Sequence, residues 1–216
     1  EGGMGEVWEA SQQALHRTVA VKFVRDAGNL RLRRQFAHEA NLTAGLSHPN
    51  ILPVYDLVEI KGRTALVMKR VHGQAWNLHL DRARAAGTLD LAGEIQRLVQ
   101  VCNAVVAAHE GGVLHLDIKP DNVMVGAHGE VLLADWGCAA VYAPSDWTRA
   151  AGLPETASIR EIAGTPSFMS PEQAAGSGPE LGPQTDVYLL GATLYTVLEG
   201  RGLRDSTTLE ELLASI

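Results

Sequence analysis

The sequence predicts an α+β fold, in which a small antiparallel sheet with one helix is followed by a mainly helical part. Three observations lead to this class. Short β-rich segments separated by polar turns occupy about the first third of the chain, as in antiparallel sheets. Several later stretches have apolar residues at every third or fourth position, as in amphipathic helices. The longest apolar run, 187–198, has the length of a buried helix.

The first part of the chain is predicted to form the sheet and its helix. Residues 6–10 and 18–24 are β-rich and are separated by a polar turn, which predicts a hairpin. Residues 31–46 have apolar positions at helical spacing, which predicts an amphipathic helix. Two more strands are predicted over 51–58 and 64–68.

The rest of the chain is predicted to be mainly helical. A long amphipathic helix is expected over 91–109 and an apolar helix over 186–198. Between them, a second hairpin is predicted with strands at 123–125 and 131–134. Residues 138–169 are polar, contain several prolines and glycines, and are predicted to be irregular. Irregular segments of this length are usually functional.

The composition excludes several classes of function. An apolar fraction of 46% in 216 residues supports a buried core and excludes a wholly disordered chain. The formal charge of −7 gives no attraction to phosphate backbones, so we expect no nucleic-acid partner. The run 187–198 is shorter than the roughly 20 apolar residues that cross a bilayer, so we expect no membrane span in this sequence. Cys102 and Cys138 lack the spacing of a zinc site or a disulfide framework, and we expect a cytoplasmic protein.

A glycine cluster at the start of the chain is a candidate phosphate-binding loop. Gly2, Gly3 and Gly5 precede the first predicted strand, and Lys22 lies on the second. Glycines let backbone N–H groups approach phosphate oxygens closely, and a lysine on the neighbouring strand can reach the same phosphates. Taken alone, the cluster also fits a tight turn, and the lysine also fits an exposed strand edge.

The most informative stretch runs from His115 to Asn122 and is followed by the second hairpin and Asp135. Asn122 and Asp135 flank the open end of this hairpin, where opposed residues lie about 5 Å apart. An amide oxygen and a carboxylate at that separation suit Mg²⁺. In the same loop, Asp117 can accept a proton from a hydroxyl, and Lys119 can neutralise a phosphate in transfer. The arrangement predicts phosphoryl transfer.

These motifs resemble the signature of protein kinases. Further parts of the signature follow in the expected order: Val19-Ala20-Val21-Lys22, Glu39, Asp135-Trp136-Gly137, Gly164-Thr165-Pro166 and Ser170-Pro171-Glu172. The chain is most similar to the eukaryotic-type, or Hanks-type, Ser/Thr protein kinases of bacteria, over essentially its whole length. The resemblance implies a protein-kinase-like two-lobed fold in one kinase domain, 1–216, which we expect to be incomplete at both ends. The small lobe is expected over 1–70 and the large lobe over 71–216.

The resemblance also implies a role for each candidate residue, with ATP and Mg²⁺ bound between the lobes. The catalytic side chains would be Asp117, Lys119, Lys22, Glu39 and Thr165. The Mg²⁺ ligands would be Asn122 and Asp135. The residues that contact ATP would be Gly2, Gly3, Gly5, Val7, Ala20, Lys22, Met68, Lys69, Val71 and Met124. In this arrangement Glu39 holds Lys22 against the phosphates, and Thr165 supports Asp117.

Two other residues are interpreted as structural. His115 is expected to be packed in the interior rather than catalytic. By resemblance, Asp186 is expected to accept hydrogen bonds from the backbone of the loop that contains Asp117. An N-cap of the apolar helix is an equally plausible role for Asp186.

The implied function is transfer of the γ-phosphate of ATP to Ser and Thr hydroxyls of proteins in signalling, including the kinase itself. The alternative is a pseudokinase or ATP-binding scaffold, because Leu116 stands where the family has an arginine. All catalytic side chains are nevertheless present. Trp136 replaces the usual Phe and Ser170 the usual Ala, and we expect both changes to be tolerated. Without an arginine at 116 to bind a phosphate, we expect that phosphorylation of 138–169 is not required for activity.

Overall fold

The computed structural model describes residues 5–24, 30–160 and 162–204. Its first part is a four-stranded antiparallel sheet in the order β1-β2-β4-β3. The strands are β1 (Gly5–Gln12), β2 (Arg17–Val24), β3 (Val54–Ile60) and β4 (Arg63–Lys69). Helix α1 (Leu30–Gly45) packs on this sheet through the buried side chains of Phe36 and Ala40. The hairpin and the amphipathic helix predicted from the sequence are therefore confirmed.

One strand boundary predicted in this part is wrong, because β3 begins at Val54 rather than at Ile51. Ile51 forms an isolated bridge to Leu133, and the N–H of Leu52 donates to the carbonyl of Leu133 at 2.9 Å. These residues therefore pair with the second part of the chain. Pro53, which has no N–H, separates them from the sheet.

The second part of the chain is mainly helical and contains two small sheets. Its helices are α2 (Trp76–Ala85), α3 (Leu91–Glu110), α4 (Asp146–Ala150), α5 (Pro171–Ala174) and α6 (Pro183–Glu199). Its strands are β5 (Gly73–Ala75), β6 (Val113–Leu114), β7 (Val123–Gly126), β8 (Val131–Leu133) and β9 (Ala140–Val141). Strands β7 and β8 form the predicted hairpin, β5 pairs with β7, and β6 pairs with β9.

Helices α3 and α6 form the core of the second part. Leu189 of α6 and Val101 of α3 belong to the same cluster of buried residues, and each such side chain stabilises the fold by about 1.5–3 kcal/mol. Helix α6 begins at Pro183, where the missing N–H is not needed. Asp186 therefore lies inside the first turn, and the prediction that it is the N-cap is wrong. Although α6 is apolar, none of the helices within the described ranges could span a bilayer.

The segment 138–169 is more ordered than the sequence predicts. It contains β9, α4 and a helical turn over 156–158, and Val141 bridges to Glu155. Thr148 and Thr156 are buried, with 1% and 7% of their surface exposed. These elements are too short to show a periodic pattern of apolar residues, which is why periodicity does not reveal them.

Candidate active site

A cleft of about 730 Å³ lies between the four-stranded sheet and the helical part. Seven residues predicted to contact the nucleotide line it: Val7, Ala20, Lys22, Met68, Lys69, Val71 and Met124. Gly5 begins β1 and pairs with Val24. Gly2 and Gly3 lie outside the described residues. One wall of the cleft is thus apolar, and Lys22 supplies a positive charge.

Lys22 is buried and contacts two carboxylates. Its Nζ lies 3.1 Å from both oxygens of Glu39 and 3.2 Å from Oδ1 of Asp135. Lys22 lies on β2, where it pairs with Leu66 of β4. Glu39 lies on α1, which packs on the sheet and so places the Glu39 carboxylate next to Lys22. Lys22 is therefore not an exposed edge residue, and Glu39 is not a solvated helix residue.

The charge of Lys22 is stabilised in this position. Burial alone would lower the pKa of Lys22, but the carboxylates of Glu39 and Asp135 outweigh that effect and raise it above its usual value. Burial raises the pKa of Glu39, and the charge of Lys22 opposes this change. Lys22 therefore remains a cation at neutral pH and is able to bind a phosphate group.

Three predicted residues form a hydrogen-bonded cluster around Asp117. The hydroxyl of Thr165 donates to Oδ1 of Asp117 at 2.7 Å, and Nζ of Lys119 donates to Oδ2 at 2.8 Å. Nδ2 of Asn122 donates to the same Oδ2 at 2.9 Å and to the backbone carbonyl of Asp117 at 2.7 Å. Lys119 also donates to the hydroxyl of Thr165. The cluster fixes the orientation of the Asp117 carboxylate.

Asn122 and Asp135 lie at the open end of the β7–β8 hairpin, but they are not directly opposite each other. Val123 pairs with Leu133, and the N–H of Ala134 donates to the carbonyl of Asn122 at 2.8 Å. The predicted pairing of Asn122 with Asp135 is therefore wrong by one residue. Asp135 follows the paired strand in a left-handed conformation, with φ of 61°. Sequence alternation alone does not determine the register of a hairpin to one residue.

The donors of these two residues fit a magnesium ion. Both residues line the cleft. Because Nδ2 of Asn122 is bound to Asp117, its amide oxygen is the atom that can ligate a cation. Asp135 offers a carboxylate whose side chain is 35% exposed. One carboxylate and one neutral oxygen, completed by phosphate oxygens, form the kind of ligand set that Mg²⁺ prefers.

A buried carboxylate holds the backbone that precedes Asp117. Oδ1 of Asp186 accepts the N–H of Leu116 at 2.9 Å, and Oδ2 accepts the N–H of His115 at 2.9 Å. Oδ2 also contacts Nε2 of His109 at 2.8 Å. This geometry agrees with the role that the resemblance implies for Asp186. The contact of His109 with Asp186 was not predicted, because the spacing of residues on α3 indicates only that His109 belongs to the apolar face of the helix.

His115 is packed in the interior, as predicted. It is fully buried, and its Nδ1 accepts the N–H of Asp117 at 3.2 Å. Its Nε2 therefore carries the proton and donates to the carbonyl of Ala134 at 3.1 Å. The ring lies 4.5 Å from the ring of Trp136. His115 thus connects the loop of Asp117 with the segment that begins at Asp135.

Trp136 carries a buried donor without an acceptor. Its Nε1 has no hydrogen-bond partner among the described residues, and only 3% of the residue is exposed. Trp76 offers a matched comparison, since it is fully buried and its Nε1 donates to Oε2 of Glu94 at 2.6 Å. The two indoles thus differ in this hydrogen bond, and Trp136 in addition lines the cleft.

We expect Trp76→Phe to destabilise the protein more than Trp136→Phe does, by about 1–3 kcal/mol. Both substitutions shorten a buried side chain, but only the first removes a hydrogen bond to a buried carboxylate. Urea unfolding of the two variants measures the difference. Equal losses of unfolding free energy would show that the Nε1 of Trp136 has an acceptor after all.

Leu116 packs where the family has a charged side chain. It is 2% exposed, has a left-handed backbone with φ of 64°, and clusters with Leu114, Ala140 and Leu181. Ile159, from the segment 138–169, packs against this cluster. An apolar contact therefore joins the segment to the loop of Asp117.

Glu172, in the motif Ser170-Pro171-Glu172, and its neighbour Gln173 connect helix α5 to helix α6 and to the loop of Asp117. Its Oε1 accepts the hydroxyl of Thr185 at 2.6 Å. The neighbouring Gln173 donates from Nε2 to the carbonyl of Leu116 at 2.8 Å. Ser170 is buried and caps α5 by accepting the N–H of Gln173. Serine is thus accommodated at this position, as predicted.

Comparisons with known proteins agree with this geometry. The family model for the protein kinase domain matches residues 1–213. The serine/threonine-protein kinase PknD of Protochlamydia amoebophila is 34% identical over 98% of the chain, and PknA of Mycobacterium tuberculosis is 36% identical over 93%. The chain spans 23% of the length of the first relative and 45% of the second. With the cleft, the cluster around Asp117 and these matches in agreement, the chain belongs to the protein kinase family.

Proposed function

We propose that the protein transfers the γ-phosphate of ATP to Ser and Thr hydroxyls of protein substrates. One observation carries this proposal. The Lys22–Glu39–Asp135 cluster lines a single cleft of sufficient volume for a nucleotide, together with Lys119 and Asn122, which hold the carboxylate of Asp117. The named relatives are serine/threonine kinases, which supports the choice of acceptor.

In the proposed complex, the two parts of the fold hold different parts of ATP. The side chains of Val7, Ala20 and Met124 contact the adenine, and Lys22, held by Glu39, orients the phosphates. Asn122 and Asp135 hold Mg²⁺, which neutralises charge on the phosphates when it is bound. We also propose that the two lobes meet near residue 70, and that the domain acts in the cytoplasm.

Asp117 is proposed as the general base. A carboxylate has about four lone-pair sites. Thr165 occupies one on Oδ1, while Lys119 and Asn122 occupy those on Oδ2. The remaining lone pair, on Oδ1, can accept the proton of an incoming hydroxyl. Lys119, which is bound to Oδ2 of the same carboxylate, can stabilise negative charge on the transferred phosphate.

The kinase itself is proposed as one of its substrates. In the segment 138–169, Ser158 is exposed, and its hydroxyl donates to the carbonyl of Glu155 at 2.7 Å. Thr148 and Thr156 are buried and are poor acceptors in this conformation. Of these three residues, Ser158 is therefore the one whose hydroxyl another copy of the protein could reach.

An assay of phosphate transfer tests the proposed function. The protein is incubated with radiolabelled ATP, Mg²⁺ and a generic protein acceptor, and labelled amino acids are identified after hydrolysis. We expect label on serine and threonine, and we expect chelation of Mg²⁺ to abolish transfer. Nucleotide binding without transfer at any Mg²⁺ concentration would contradict the proposal and support a binding scaffold.

A further inference from the structure

Glu94 is a buried carboxylate outside the groups discussed above as catalytic. It lies in the first turn of α3 and is 1% exposed. It accepts hydrogen bonds from Nε1 of Trp76 at 2.6 Å, Nε2 of His79 at 3.0 Å and Nη1 of Arg97 at 2.6 Å. Burying a carboxylate is costly unless such partners compensate it. The three hydrogen bonds therefore offset the cost of burying the Glu94 carboxylate, and each of them holds a neighbouring side chain in place.

Two of these three donors belong to the start of α2. Trp76 is the first residue of that helix, and His79 lies about one turn further on. The residue before the helix, Ala75, has no side-chain group with which to cap it. Glu94 thus fixes the beginning of α2 from a neighbouring helix.

The start of α2 is also part of the wall of the cleft. Ala75, Asn77 and Leu78 line the cleft and lie between or beside the two residues that Glu94 holds. A shift or rotation of this turn would therefore change the shape of the cleft directly.

Asn77 extends the connection to the catalytic loop. Its Nδ2 donates to Oδ1 of Asp121 at 2.8 Å. Asp121 lies in the helical turn Pro120–Asn122, between Lys119 and the proposed Mg²⁺ ligand Asn122. A continuous path of hydrogen bonds and backbone thus leads from Glu94 to this loop.

We propose that Glu94 is a positioning residue for the nucleotide site. It fixes the first turn of α2, and through Asn77 it aligns the wall of the cleft with the loop of Asp117 and Asn122. This inference rests on the function proposed above, because it concerns the same cleft.

Glu94→Gln tests the proposal. The amide keeps the shape of the side chain. However, its NH₂ group replaces one carboxylate oxygen and cannot accept the hydrogen bond that this oxygen accepted. We expect the KM for ATP, and the Kd of a fluorescent ATP analogue measured at equilibrium, to rise about tenfold, the scale of one lost charge-assisted hydrogen bond. We expect kcat to change less than threefold. An unchanged KM and Kd in a folded variant would overturn the proposal.

His79→Gln provides a second variant in case Glu94→Gln does not fold. The side chain of His79 is 27% exposed, so its replacement disturbs the core less. We expect KM and Kd to change in the same direction but by a smaller factor. Values equal to those of the wild type would count against the proposal.

Arg84→Gln is the matched control for general destabilisation. Arg84 lies near the other end of α2, and its Nη2 donates to the carbonyl of Thr196 at 3.1 Å. We expect this variant to lower the melting temperature without raising KM. If it raises KM as much as Glu94→Gln does, the effect is not specific to the start of the helix and the proposal fails.

A double-mutant cycle tests the path through Asn77. Asn77→Ala alone should raise KM, and adding Glu94→Gln should then have little further effect, because both act on the same turn. Fully additive effects would contradict a shared path. The wild-type protein separates this inference from the function on which it rests, since absence of phosphate transfer by the wild type would refute only the latter.

Discussion

Asp117→Ala is expected to lower kcat by about 10²–10⁴, the usual contribution of a general base, and to leave nucleotide affinity nearly unchanged. The three side chains around Asp117 orient its carboxylate, and one lone pair of Oδ1 faces no donor among them. Removal of the carboxylate deletes the proposed proton acceptor without changing the apolar wall of the cleft. Steady-state kinetics and equilibrium binding of ATP with Mg²⁺ measure the two effects separately.

Asp135→Ala is expected to lower kcat on a similar scale but to weaken ATP binding in the presence of Mg²⁺ as well. It removes a proposed metal ligand and one of the two carboxylates at Lys22. Asp81→Ala, at an exposed position of α2, controls for loss of a negative charge. Equal losses of nucleotide affinity in Asp117→Ala and Asp135→Ala would contradict the roles assigned to them.

Asp186→Ala is expected to destabilise the protein by about 2–5 kcal/mol and to lower kcat strongly. The substitution leaves the N–H groups of His115 and Leu116 buried without acceptors, and each such group costs about 1–3 kcal/mol. It also removes the partner of His109. Because Leu116 holds a left-handed backbone, the loop should relax once these bonds are lost.

Thermal unfolding and kinetics below the melting transition measure the two consequences of Asp186→Ala. Gln184→Ala, at an exposed position of the same helical turn, is the control and should change neither quantity appreciably. A variant of Asp186 with full activity at low temperature would show that the loop keeps its shape without this carboxylate.

Much of the fold was predictable because its signals are local. The β1–β2 hairpin and helices α1 and α3 follow from residue type and spacing within single segments. The residues of the candidate active site were predictable for another reason. Lys22, Glu39 and Asp117 belong to motifs whose order along the chain resembles that of a known family.

The remaining features depend on contacts between distant segments, which spacing does not reveal. Ile51 and Leu52 look like strand residues of the first sheet but pair with Leu133. Trp76 and Glu94 each read as an ordinary helix residue, and only the packing of α2 on α3 makes them partners. The register of the hairpin places Ala134 rather than Asp135 beside Asn122, and a pattern of alternating residues does not determine that register.

The apolar contact between Leu116 and the segment 138–169 has consequences for the solution conditions under which that segment stays in place. An ion pair between a phosphate and an arginine weakens as salt is added, because dissolved ions screen exposed charges. The contact of Leu116 and Ile159 involves no charge and is not screened. Apolar association instead weakens on cooling and is strengthened by excluded salts such as sulfate. At this contact, an excluded salt such as sulfate therefore acts on the segment in the sense opposite to that expected at a phosphate clamp, and cooling weakens the attachment of the segment.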